Sequence, residues 1–188
     1  MCGRYQLDTG IEQLMLRFDA ENRYIGYGSK NEIFPTDTVA IITGEGGHNY
    51  IDAAKWGFDN PYDKRPLINA RGETVDQKRT FKDMFTNGRC IIPATAFFEW
   101  QKNEEKRKTK MLITVKDAPI FGMAGIYRNV LNEDASKIFR AAIITISANK
   151  VMSEIHDRMP VILPADAEKV WLDNTITDAL MLKGFLKS

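Results

Sequence analysis

The second residue is a cysteine, in Met-Cys-Gly-Arg-Tyr. A start Met followed by a small residue is usually removed, and Cys2 would then carry a thiol and a free α-amine. The reference pKa of that amine is about 8, so a good fraction is neutral and nucleophilic at pH 7. It can condense with an aldehyde to a Schiff base, and the nearby thiol can close a five-membered thiazolidine. An internal cysteine cannot do this, because its nitrogen is an amide. The alternative is that Cys2 is a small buried hydrophobe.

Three other stretches could serve such chemistry. In LINARGET (67–74), Asn69, Arg71 and Glu73 alternate with small or apolar residues and would share a face of an extended segment. Asn supplies donors and an acceptor, and Arg a planar fork suited to phosphate. A loop satisfying its own backbone is the plainer reading. In AFFEWQ (96–101), Glu99 lies among Phe97, Phe98 and Trp100, and strand alternation puts it on the Phe97 side. A carboxyl on an aromatic face is desolvated, which raises its pKa toward that of a usable general acid. In SEIHDRMPVIL (153–163), His156 offers a proton shuttle and Arg158 a phosphate fork, unless the stretch is a surface turn. The other histidine, His48, reads as part of a polar turn.

Composition narrows the class. The chain has 188 residues, 44% apolar and 27% charged, as in an ordinary globular domain. Its apolar runs are far too short to span a bilayer, and the N-terminus lacks a signal pattern. Two cysteines, Cys2 and Cys90, make no disulfide framework, which fits a reducing cytoplasm. No metal-ligand spacing joins the cysteines and histidines, so neither metal nor cofactor is expected. The net charge is only +1, but residues 64–89 hold seven basic side chains against three acidic, and 102–110 five against two. These are either solvated loops or a basic rim for phosphates.

The elements that must position these residues are many and short. Thr9 and Glu12 form a capping-box pattern ahead of Ile11, Leu14, Met15 and Phe18, which recur at helical spacing. Strands are expected at 39–43, 51–58, 89–101, 110–115, 120–130, 139–148 and 159–164, with a turn at EGGHN. Residues 59–74 read as an ordered loop. Helices are expected at TFKDMFTNG, starting at Thr80 and stopping at Asn87-Gly88, and in ADAEKVWLD and TDALMLKGFL. The expectation is one α+β domain over 1–188, with a mixed, barrel-like sheet of many short strands and flanking helices.

Taken together and in order, MCGRY, NARGET, RCIIPATAFFEW and HDRMP resemble the SRAP (SOS-response-associated peptidase) family, from Met1 to about Trp171. WGF (56–58) and GMAGIY (122–127) also sit where that pattern has similar residues. The sequence departs from it in having no second Trp in WGFDNPYDKRP, and only a loose Asn-x-x-Pro in NEIFPT. The resemblance implies recognition of abasic sites in single-stranded DNA and a thiazolidine cross-link through Cys2 after self-removal of Met1, shielding the lesion. Asn69 would then orient the cysteine or the opened sugar, Glu99 assist amine activation and ring opening, and His156 shuttle protons. Arg4, Arg71 and Arg158 would hold phosphates, while Trp56 and Phe58 would either stack on bases or pack in the core. A cytoplasmic monomer is expected, without membrane contact; replication proteins as partners cannot be read from the sequence. Two other classes stay open: an N-terminal-nucleophile amidohydrolase, and a single-strand DNA-binding module without covalent chemistry.

Overall fold

The computed structural model describes residues 2–102, 107–131 and 137–187. In chain order its elements are β1 (Tyr5–Leu7), α1 (Ile11–Phe18), β2 (Ala20–Asn22), β3 (Lys30–Ile33), β4 (Thr38–Glu45), β5 (His48–Trp56), β6 (Asn69–Arg71) and α2 (Lys82–Asn87). There follow β7 (Arg89–Ala94), β8 (Ala96–Lys102), β9 (Lys108–Ile113), β10 (Phe121–Leu131) and β11 (Lys137–Ser147). A 3-10 turn (Met152–Glu154), β12 (Arg158–Pro160), β13 (Ile162–Leu163), α3 (Ala165–Leu172) and α4 (Ala179–Lys183) complete the order.

Five strands close on themselves. β10 pairs antiparallel with β11 and β7, β7 with β4, and β4 with β5. β5 then returns to β11 in parallel register, Ala141 opposite Trp56. The expected barrel-like mixed sheet is therefore a closed five-stranded barrel with added strands. Closure leaves no free edge on these strands, and both faces of the closed sheet are buried. The register puts Ile42, Ile51, Ile91 and Ile126 on one face and Ile143 on the other, all within the core. The β4–β5 hairpin turns through Gly46 and Gly47 at φ of 60° and 82°, the paired left-handed conformation a two-residue hairpin requires.

A second sheet runs β3-β1-β8-β9. It joins the barrel at Thr95, where the stretch expected as one strand over 89–101 divides. Thr95 N–H donates to Gln6 O at 2.8 Å, and Thr95 Oγ1 accepts from Asp8 N–H at 3.1 Å. The chain so leaves the barrel at the end of β7 and enters the second sheet as β8. Strand 159–164 likewise divides, β12 pairing with β11 and β13 with β10.

The helices sit outside the barrel. α1 buries Leu14 and Phe18, as its spacing requires, but Gly10 is its N-cap and the Thr9–Glu12 capping box is not made. Arg17 binds both carboxylate oxygens of Glu168 at 2.8 Å, tying α1 to α3. α2 begins at Lys82 rather than Thr80, and its cap is Phe81, with no side-chain bond. The fully buried Arg89 joins α2 to α3. Its guanidinium donates to the carbonyls of Phe85 and Thr86 at the end of α2, and of Trp171 and Asp173 at the end of α3. A cation at two helix C-termini complements both dipoles. Among the described residues no helix is long and apolar enough to cross a membrane.

Candidate active site

Cys2, Asn69, Glu99 and His156 come from four segments, and two strand systems bring them together. β1 pairs with β8 with Tyr5 opposite Phe97, and Phe98 N–H donates to Arg4 O at 2.9 Å. Extending that register places Gly3 beside Glu99. On the barrel side, β6 and β12 flank β11, with Thr145 opposite both Arg71 and Pro160. Asn69 opens β6, and His156 stands two residues before β12.

Cys2 is wholly buried, and Asn69 Nδ2 donates to its carbonyl oxygen at 3.0 Å. Asn69 thus fixes the main chain at Cys2, while its Oδ1 is buried with no partner among the described residues. The thiol lies 3.8 Å from Arg4 O. Burial, and then the nearby Glu99 charge, push the Cys2 thiol up to about 12, so it is protonated at neutral pH.

Glu99 is 2% exposed on the core-facing side of β8 beside Phe97, as alternation predicts. Burial raises its pKa, which favours the neutral acid. Its Oε2 is 3.9 Å from His156 Nε2. His156 Nδ1 lies 3.0 Å from Arg158 N–H and 2.8 Å from the Asp157 carboxylate. The Asp157 side chain is 85% exposed. Gln101 on β8 donates to Glu154 O at 2.9 Å and so holds the turn carrying His156 against the strand carrying Glu99.

The arginines differ in state. Arg71 is exposed, with no side-chain partner among the described residues. Arg158 is held by Glu73, with Nη2–Oε2 at 2.9 Å, and also donates to Thr145 O at 2.6 Å. Arg158 draws Glu73 down to a pKa of about 2. Glu73 lies beyond the end of β6, in a turn, so it does not continue the Asn69–Arg71 face expected for an extended segment. Arg4 Nη1 meets Glu32 Oε1 at 2.7 Å.

Trp56 and Phe58 are both fully buried and offer no face to a base. Trp56 Nε1 donates to Ile68 O at 3.1 Å, and its ring meets Tyr5 edge-on. Gly57, at φ 116°, bends the chain between them where a Cβ would lie 2.8 Å from Pro66 Cβ. Phe58 instead meets Phe81 and lies under Arg128, and both rings pack within the core. The aromatic rings near Cys2 that reach solvent are instead Phe34, 44% exposed, and the half-buried Trp100. Arg4 lies over Phe34 at 3.9 Å and over Trp100 at 5.5 Å. Sequence reasoning missed Phe34; its place beside Pro35 in the loosely matching NEIFPT was the available signal.

His48 stands at the β4–β5 turn, away from these residues, and lines a cleft of about 790 Å³ between α1, β5 and α3. Among the described residues no three His, Cys, Asp or Glu side chains gather as metal ligands would. Met1 and residues 103–106 of the basic segment 102–110 lie outside the described residues.

A family model described as SOS response associated peptidase (SRAP) matches residues 1–188. The chain belongs to the SRAP family. This SRAP chain is 34% identical to abasic site processing protein YoaM of Bacillus subtilis (strain 168), over 96% of the chain and 83% of that protein. It is 32% identical to abasic site processing protein YedK of Escherichia coli (strain K12), over 94% and 82%. Its SRAP fold superposes on a crystal structure of a Bacteroides thetaiotaomicron protein with a TM-score of 0.88 at 26% identity, covering 99% of this chain and 87% of that one.

Proposed function

We propose that this protein recognises abasic sites in single-stranded DNA and cross-links to them through Cys2 once Met1 has been removed by the protein itself. The observation that carries the proposal is the convergence on Cys2 of an amide bound to its carbonyl and a buried carboxyl facing an imidazole. The names of the relatives agree with it.

An abasic sugar is mostly a closed hemiacetal. Glu99, whose pKa burial raises, donates a proton to the ring oxygen as the C1′–O4′ bond breaks, while the C1′ hydroxyl gives up its proton to His156, which passes it to solvent. The Cys2 α-amine adds to the aldehyde carbon, and loss of water gives an imine. The thiol then adds to the imine carbon and its proton passes to nitrogen, closing the thiazolidine. A thiol protonated at neutral pH suits this order, in which the amine attacks first. Arg71, Arg158 and Arg4 hold the phosphates, and Phe34 and Trp100 stack on bases beside the lesion.

The test is a denaturing gel after incubation with single-stranded DNA carrying one abasic site. A band that survives denaturation, disappears in Cys2→Ala and is absent with intact DNA is expected. No such band from protein shown by mass to begin at Cys2 would overturn the proposal, and glutamine hydrolysis would redirect it to an amidohydrolase.

A further inference from the structure

The outward face of the second sheet carries two cations on one carboxylate. Arg4, on the approach to β1, and Lys110, on β9, both contact the same oxygen, Glu32 Oε1 on β3, at 2.7 and 2.6 Å. Each cation also rests on a ring: Arg4 on Phe34 and Trp100, and Lys110 on Phe98 at 4.2 Å. The rings hold the charged heads in place independently of Glu32. Arg4 Nε is buried without a partner among the described residues, so the guanidinium has a donor to spare. Glu32 is held below the usual carboxylate range by the hydrogen bonds from Lys110 and Arg4, so it stays charged.

One oxygen shared by a guanidinium and an ammonium is also how a backbone phosphate oxygen is bound. Arg4 stands two residues from Cys2, about 7 Å along an extended chain, so a phosphate there would belong to a nucleotide next to the reacting one. We infer that Glu32 holds the place of a DNA backbone phosphate in the free protein, and that single-stranded DNA binds by displacing it from Arg4 and Lys110. This rests on the reading of the chain as a single-strand DNA binder. Its consequence is that part of the positive charge beside Cys2 is neutralised until a strand is seated, which weakens reversible binding to any single strand. The other charged pair near this strand, Lys30–Asp37 at 3.5 Å, joins neither cation.

The experiment measures reversible binding of an intact, labelled single-stranded oligonucleotide to the full chain, wild type against Glu32→Gln, Lys110→Met and the double variant. At about 50 mM salt, Glu32→Gln binds roughly 3- to 10-fold tighter, and its log K against log salt steepens by about 0.7, one more phosphate contact on a single strand. In the Lys110→Met background the same substitution gains no more than about twofold, because one of the two released cations is gone. An undiminished gain in that background would reduce Glu32 to a diffuse negative charge and overturn the inference, as would no gain at all. Glu32→Ala supplies the same comparison should the glutamine variant melt below wild type. Cross-linking of abasic DNA is scored separately. A Glu32→Gln gain without any covalent product defeats the cross-linking reading alone, and covalent product without the gain defeats the displacement alone.

Discussion

Glu99 shows how far a residue's chemistry and its stability can oppose each other. Burial raises its pKa above the unfolded value, so the folded state favours the neutral carboxyl. Its contribution is complete below about pH 4.5 and is lost as pH rises through the raised folded value. At pH 7 Glu99 is thus an expense that Gln would avoid. Glu99→Gln is expected to melt at or above the wild-type temperature at pH 7, with an advantage that grows as pH rises from 4.5, while cross-linking slows by about 10²-fold. Melting curves between pH 4 and 8 check the first part; a difference that stays flat with pH would contradict it. Glu73 behaves in the opposite sense. Its pKa is lowered to about 2, so its pairing with Arg158 stabilises above about pH 4.5 and is lost as pH falls toward 2.

At the scale of elements, Arg89 is the strongest single test of the packing. Arg89→Met would leave four carbonyls at two helix ends without their donor. The expected loss is at least about 3 kcal/mol, a fall of roughly 6–12 °C in melting temperature for a chain of this size. A fall under about 2 °C would show that the helix ends are satisfied another way. Alternation on β8 gave the buried face of Glu99 correctly, and EGGHN gave its hairpin. The same periodicity could not place Trp56 and Phe58, because Gly57 at φ 116° breaks the alternation between them. Nor could it find the break at Thr95, which depends on a partner, Gln6, far away in sequence. β1 and β6, three residues each, carry no periodicity to detect, yet they order Cys2 and Asn69. The four candidate site residues were legible because each is of a type that can bind or carry a proton or a nucleophile and sits in one of the stretches MCGRY, NARGET, AFFEW and HDRMP. The state of Arg4 was not, because Glu32 and Lys110 reach it only through the sheet.

At the scale of the whole molecule, the closed barrel and the second sheet differ in protection. Every residue of β7 is buried, whereas β9 is mostly exposed and has β8 as its partner. Amide hydrogen exchange should therefore be slowest in β7 and the adjoining half of β10, and faster by orders of magnitude in β9. Equal protection of β7 and β9 would mean that the two sheets open as one unit. Lys108 and Lys110 on β9 also discourage pairing with another chain. Both sheets contribute to enclosing Cys2, and that enclosure bears on durability. In the proposed reaction each molecule spends its thiol on one lesion and must keep it intact while waiting. Peroxides and alkylating agents consume thiolates, and do so where they can reach them. A sulfur that is inaccessible and protonated at neutral pH is shielded on both counts. The fold is in that sense a storage vessel for a single-use reagent.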